Sequence, residues 1–163
     1  MSDTDVIACI VSHGQRALLT PCLTALRADD VPAVVLENVP DGSAELAASL
    51  GARTGVNSRP GSFAHNQNAL IASTRSRYVL VLNPDCLVRP GAVPRLVEIA
   101  DEHARAGIVG PRLLNPDGTL QRSRRRFPTV SGTLVRRTPL RLLLADVESL
   151  PRSMLETMAF GTP

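Results

Sequence analysis

An α/β fold on a mostly parallel central sheet is what the sequence predicts, and three observations predict it. Val6-Ile7-Ala8-Cys9-Ile10-Val11 and Tyr78-Val79-Leu80-Val81-Leu82 are unbroken apolar runs rich in β-branched residues, the pattern of strands covered on both faces. Segments with apolar residues at helical spacing lie between such runs, so strand and helix alternate along the chain. The 163 residues amount to about one domain, and 44% hydrophobic with 20% charged residues is the balance of a globular chain.

Val6 to Val11 is the expected first strand. Arg16 to Ala28 follows as a helix with Leu18, Leu19, Cys22, Leu23 and Leu26 at helical spacing. Pro21 lacks a backbone donor and is expected to kink this helix, or to open a shorter one capped by Thr20. Ala33 to Leu36 is a second short buried strand, and Asp41-Gly42-Ser43 supplies a turn and cap for an alanine-rich helix over Ala44 to Leu50. Arg53 to Val56 is a third, less apolar strand, and Phe63 to Thr74 is a helix capped by Ser62. Tyr78 to Leu82 is the most strongly patterned strand, and it stops abruptly at Asn83-Pro84-Asp85. A helix over Ala92 to Ala106 puts Val93, Leu96, Val97 and Ala100 on one face and tolerates Pro94 in its first turn. After it, Asn115-Pro116-Asp117-Gly118 carries Pro and Gly where a tight turn needs them, which predicts a hairpin. Leu140, Leu142, Leu143 and Leu144, with Arg136, Arg137 and Arg141, suit one amphipathic helix near the end.

Charge narrows the function classes. Residues 1 to 110 carry 9 Arg against 11 acids and residues 111 to 163 carry 9 Arg against 4, so only the tail is basic. A net charge of +3 with Phe63, Tyr78, Phe127 and Phe160 as the sole aromatics gives no stacking platform for single strands, which argues against nucleic acid. The start is acidic where a secretory signal is basic, and no apolar run approaches the roughly 18 residues of a bilayer span, so a cytoplasmic chain without a transmembrane segment is expected. Cys9, Cys22 and Cys86 lack metal-ligand or redox spacing and read as reduced, packed thiols.

Polar residues directly after buried strands are where an open α/β sheet does its chemistry. Asp85 can hold a hard divalent cation against a diphosphate, or can simply end a turn. Glu37-Asn38 can accept a hydrogen bond from a base or ribose, or can be a solvated strand end. Ser62, Asn66 and Asn68 lie on and just inside a helix amino end, a place for a phosphate or for capping alone. His13 follows the first strand and can face a ligand or the surface. Arg122, Arg124, Arg125 and Arg126 can meet phosphates or water.

Taken in order, Val11-Ser12-His13-Gly14, Val35-Leu36-Glu37-Asn38 with Asp41-Gly42-Ser43, Asn57 through Asn68, and Arg77 through Asp85 resemble the family-2 glycosyltransferases of the GT-A fold, especially their bacterial rhamnosyltransferase-like branch. The segment Gly110-Pro111-Arg112-Leu113-Leu114-Asn115-Pro116-Asp117-Gly118-Thr119-Leu120-Gln121, with Arg125-Arg126-Phe127-Pro128-Thr129 after it, is also typical of that branch. The resemblance implies a Rossmann-like nucleotide-sugar-binding domain over residues 1 to 130 and a basic, leucine-rich extension over 131 to 163. It implies that Ser12, Glu37, Asn68 and Asn83 contact the donor. Glu37 would take the place of the usual Asp that receives the base imide proton. Asn83-Pro84-Asp85 would replace the Asp-x-Asp motif, leaving Asp85 to bridge Mg²⁺ or Mn²⁺ to the diphosphate. Two departures are visible: His13-Gly14 stands where the family usually has Tyr-Asn, and Ser62 where it usually has Gly.

The implied activity is metal-assisted, inverting transfer of a sugar from a UDP- or dTDP-linked donor to a hydroxyl of a glycan, lipid-linked or small-molecule acceptor. The setting is cell-wall polysaccharide synthesis, in the cytoplasm or at the inner face of the membrane. The family's acceptor half, with a Gly-Ala strand, an aromatic loop and an acidic pair holding the general base, has no counterpart between Ser131 and Pro163. The expectation is therefore a donor half that needs another subunit, in a homo-oligomer or with a partner. Its alternative is a non-catalytic nucleotide-sugar-binding module. A nucleotidyl transferase would need a Gly-rich loop after the first strand, where only Gly14 stands.

Overall fold

The computed structural model describes residues 5 to 121. Four parallel strands, β1 (Val6–Ser12), β2 (Ala33–Glu37), β3 (Arg53–Val56) and β4 (Tyr78–Leu82), alternate with four helices, α1 (Arg16–Arg27), α2 (Ser43–Ser49), α3 (Phe63–Ala72) and α4 (Ala92–Glu102). The sheet order is β3-β2-β1-β4. The chain thus moves outward from β1 through β2 to β3, then returns to the other side of β1 with β4. That reversal opens a crevice between the loops that leave β1 and β4.

β1 and β2 bury both faces, as their unbroken apolar runs require, whereas β3 at one sheet edge is mostly exposed and β4 at the other is partly buried. Ala8 and Ile10 of β1 and Ala33 and Val35 of β2 point into a core completed by Leu19, Cys22, Leu23 and Leu26 of α1, Ala47 of α2 and Val93 of α4. Ile7, Cys9 and Val11 point the other way, with Val34 and Leu36 of β2, against Leu70 of α3. Pro21 lies inside α1 without ending it. It is on the exposed side, and the buried stripe from Leu19 to Leu26 holds the helix across the missing hydrogen bond.

α1 and α2 each stop one residue earlier than their apolar spacing predicts, and α3 and α4 stop two and four residues earlier. α4 ends at Glu102 rather than Ala106, since Ala104 and Ala106 are exposed and gain nothing by continuing it. α3 ends at Ala72, where the Ser73 and Thr74 hydroxyls turn back to the Leu70 and Ile71 carbonyls. The start of α4 borrows its cap. Gly91, at φ 80°, has no side chain, and Asp29 from the α1–β2 loop accepts from the N–H groups of Gly91 and Val93 at 2.6 and 3.1 Å.

The chain groups into two compact units, Met1–Pro111 and Arg112–Pro163. Everything above belongs to the first. In the second, Leu114 bridges Leu120 antiparallel across a turn with Gly118 at φ 82°, which is the predicted hairpin. The basic run from Arg122, the expected boundary at 130 and the leucine cluster lie outside the described residues. Among the described residues no helix is long and apolar enough to cross a membrane.

Candidate functional site

A crevice of about 310 Å³ opens at the carboxyl ends of the strands, lined by Val11, His13, Gln15, Asn38, Gly61, Phe63 and Asn83. Its position is the one the sheet order selects: Val11 lies near the end of β1, His13 just after that strand, and Asn83 leaves β4, on either side of the reversal. The volume is at the lower end of small-molecule sites. Phe63, at the first position of α3, is 54% exposed and gives the crevice an apolar wall.

The floor is tied together from distant parts of the chain. Asn38, 4% exposed, accepts through Oδ1 from Gly61 N–H and from Asn57 Nδ2, both at 2.8 Å. Its Nδ2 lies 2.8 Å from His13 Nδ1 and donates to the Gly61 carbonyl at 3.1 Å. Asn57 also donates to Asn66 Oδ1, so the loops after β1, β2 and β3 and the start of α3 form one hydrogen-bonded bracket. A Cβ at position 61 would stand 2.7 Å from Asn66 Oδ1, so any residue larger than Gly61 has to push aside the amide that accepts from Asn57.

The five residues expected at the site fall into three groups. Asn83 lines the crevice, and Asp85, two residues on, is exposed, with Oδ1 accepting a long 3.6 Å contact from the Cys86 thiol. Ser12 and Glu37 are buried beneath it: the Ser12 hydroxyl shares a 2.8 Å hydrogen bond with Ser43, and Glu37 Oε2 accepts from Ala44 N–H at 2.7 Å in the first turn of α2. Asn68 is exposed on α3 and is not part of the lining. Asn66 is the buried asparagine of that helix, and two residues farther the side chain has turned about 200° away. Ser62 caps α3 through His65 N–H at 3.3 Å, the capping reading of that position.

Several site residues carried no clear signal in the sequence. Gly61 and Gln15 are ordinary loop residues by composition. Phe63 is one of four aromatics in the chain and opens a helix beside a strand end, which was a usable clue. Asp41 supports the site from behind, its Oδ2 accepting from Arg16 N–H at 3.2 Å and its Oδ1 from Ser43 N–H at 3.0 Å, so one carboxylate serves the starts of α1 and α2. Burial pushes the Asp41 carboxyl up, but the Ser43 hydroxyl, the two N–H groups and the Arg16 charge hold it below its ordinary value. Beneath the β4 loop the Cys22 thiol is raised to about 11, first by burial and then by Cys86 and Asp85, which keeps it a packed, protonated group.

The family model for glycosyl transferase family 2 matches residues 7–155. The chain belongs to that family. Over 53 residues it is 38% identical to the N-acetylglucosaminyl-diphospho-decaprenol L-rhamnosyltransferase of Mycobacterium tuberculosis, in strains CDC 1551 / Oshkosh and ATCC 25618 / H37Rv alike. That match covers 32% of this chain and 17% of the relative. Among solved structures, S. aureus TarS 1-349 superposes with a TM-score of 0.57 at 13% identity, over 62% of this chain and 33% of that one. A second S. aureus TarS structure gives 0.56 at 14% identity, over 68% and 24%. The fold of this family-2 chain is thus the Rossmann-like α/β domain of GT-A enzymes, and the chain matches about a third of TarS 1-349 and a smaller share of the curated relative.

A cation at this site would have one protein carboxylate. No group of three or more His, Cys, Asp or Glu side chains among the described residues is arranged to hold a metal. One exposed hard oxygen donor beside an open crevice suits Mg²⁺ or Mn²⁺, which take one or two carboxylates and fill their remaining positions with phosphate oxygens and water.

Proposed function

We propose that this chain forms the donor site of a sugar transferase and binds a nucleoside-diphosphate sugar, UDP- or dTDP-linked, in the crevice over β1 and β4. The observation that carries the reading is the crevice itself, at the reversal of the sheet order with Asn83 on its lining and the exposed Asp85 just beyond. Membership of glycosyl transferase family 2 supports it independently.

In this reading the nucleoside lies between Phe63 and the β1 loop, and the diphosphate lies toward Asn83 and Asp85. Asp85 would hold Mg²⁺ or Mn²⁺, whose chemistry when bound is to neutralise charge on the departing diphosphate. Asn83 is neutral, so it can meet a sugar or ribose hydroxyl without adding repulsion to the phosphates. Ser12 and Glu37 shape the crevice from below, through Ser43 and the first turn of α2. Transfer with inversion needs a base that takes the acceptor's hydroxyl proton as the acceptor oxygen bonds to the anomeric carbon and the bond to the diphosphate breaks. Among the described residues no carboxylate lines the crevice. That base, and the site for the glycan, lipid-linked or small-molecule acceptor, would come from another subunit, a second copy or a partner.

Calorimetric titration with UDP, dTDP and GDP, with and without Mn²⁺, tests the site on the native chain and on Asp85→Ala. UDP or dTDP should bind more tightly with Mn²⁺, and the metal-dependent gain should vanish in Asp85→Ala. Equal binding by both proteins removes Asp85 from the site, and no binding of any nucleotide ends the reading.

A further inference from the structure

The bracket under the crevice fixes the proton on a histidine. A backbone N–H can only donate, and Gly61 N–H points at the Asn38 side chain at 2.8 Å, so the atom it meets has to be the amide oxygen. The amide nitrogen then takes the other side, where it lies 3.1 Å from the Gly61 carbonyl and 2.8 Å from His13 Nδ1. An NH₂ group has no lone pair to offer, so His13 Nδ1 has to accept. A neutral imidazole that accepts at Nδ1 carries its hydrogen on Nε2. His13 is exposed, lines the crevice, and has no other hydrogen-bond partner among the described residues.

We propose that Asn38 is a positioning residue that sets His13 as an Nε2–H donor, and that this donor meets an acceptor oxygen of the nucleoside diphosphate. The ligand half of the proposal rests on the donor-site reading above; the tautomer half does not. The chemistry also says what His13 refuses. With Nδ1 engaged by the protein, the ring has no acceptor for a ligand, so it meets carbonyl, hydroxyl or phosphate oxygens and refuses N–H donors. Acceptor oxygens occur both on a pyrimidine ring and on the phosphates, and the test separates the two.

Long-range ¹H–¹⁵N correlation spectra of the full chain read the tautomer directly, at about pH 8 where an ordinary histidine is neutral. The resonances of His13 are those lost in His13→Phe. The native chain should show an unprotonated Nδ1 and a protonated Nε2. Asn38→Asp keeps the acceptor for Gly61 and Asn57 but turns the donor facing His13 into a carboxylate oxygen, so it should move the proton to Nδ1 or make the ring cationic. A native His13 with its proton on Nδ1 overturns the proposal, and so does an unchanged tautomer in a folded Asn38→Asp. Should Asn38→Asp fail to fold, the native spectrum and His13→Phe decide, because an exposed ring is replaced there by one of similar shape. His13→Phe should weaken UDP binding about fivefold, the size of one hydrogen bond. Loss for UDP but not for inorganic pyrophosphate assigns the oxygen to the nucleoside, and equal loss for both assigns it to a phosphate. Unchanged binding of both overturns the ligand half. If UDP fails to bind even the native chain, the donor site and the ligand half fall together, while the tautomer still stands or falls by its spectrum.

Discussion

Asp41 shows how one side chain sets the geometry of a crevice it does not line. Its two oxygens take N–H groups from the starts of α1 and α2, neither of which is capped by its own preceding side chain. Asp41→Ala should therefore cost about 1–2 kcal/mol in unfolding free energy, the range for a lost N-cap. The cost should depend on pH. The folded carboxyl titrates below its unfolded value, so the stability it contributes is fully present above the unfolded pKa, about 3.9, and is lost as pH falls through the folded one. Urea unfolding of the native chain and of Asp41→Ala should show curves well apart at pH 7 that converge as the pH drops below 4. A constant difference across that window would mean that the carboxylate charge is not what holds the two helix starts.

Among the elements, the β3–α3 connection carries the most site geometry in the fewest residues. It has to bring Gly61 close enough for Asn38 to bond both its N–H and its carbonyl. Gly61→Ala would drive a methyl group to 2.7 Å from Asn66 Oδ1 and break the bracket. The expected result is a loss of about 1–3 kcal/mol with UDP binding weakened as well, because buried amides lose partners while the core is untouched. Full nucleotide affinity in a Gly61→Ala protein of lowered melting temperature would detach the bracket from the site. The elements themselves were largely legible in the sequence. β4 spans the five residues of its apolar run, and β1 and β2 each extend only one residue beyond theirs; in β1 and β2, burial on both faces leaves the strand no other pattern. Helix ends were less legible. Apolar spacing reports which face is buried, and Ala104 and Ala106 keep the spacing after the burial has stopped. The site divided the same way: polar residues after β1 and β4 were visible as strand ends, whereas the pairing of Asn38 with Gly61, 23 residues on, and of Asp29 with the start of α4 exists only once the chain is folded.

For the whole molecule, the sheet order makes ligand binding and folding one equilibrium. The crevice is walled by chain segments that leave β1, β2 and β4 and enter α3, so nothing binds there until those four segments are side by side. A ligand that binds only the folded state stabilises it by RT ln(1 + [L]/Kd), about 2.7 kcal/mol at a hundredfold excess over Kd. For a unit of about 100 residues that is a rise of roughly 10–20 °C in melting temperature, taking about 4–8 °C per kcal/mol. UDP with Mn²⁺ should produce such a rise in the native chain, and Asp85→Ala should lose the part that depends on the metal. The control is an exposed charge that does not line the crevice: Arg95→Gln breaks a surface ion pair with Glu98 and should keep the full ligand-induced shift. If a nucleotide that binds by calorimetry leaves the melting temperature where it was, it is held by something other than these four segments, and the crevice over the β1–β4 reversal is not the donor site.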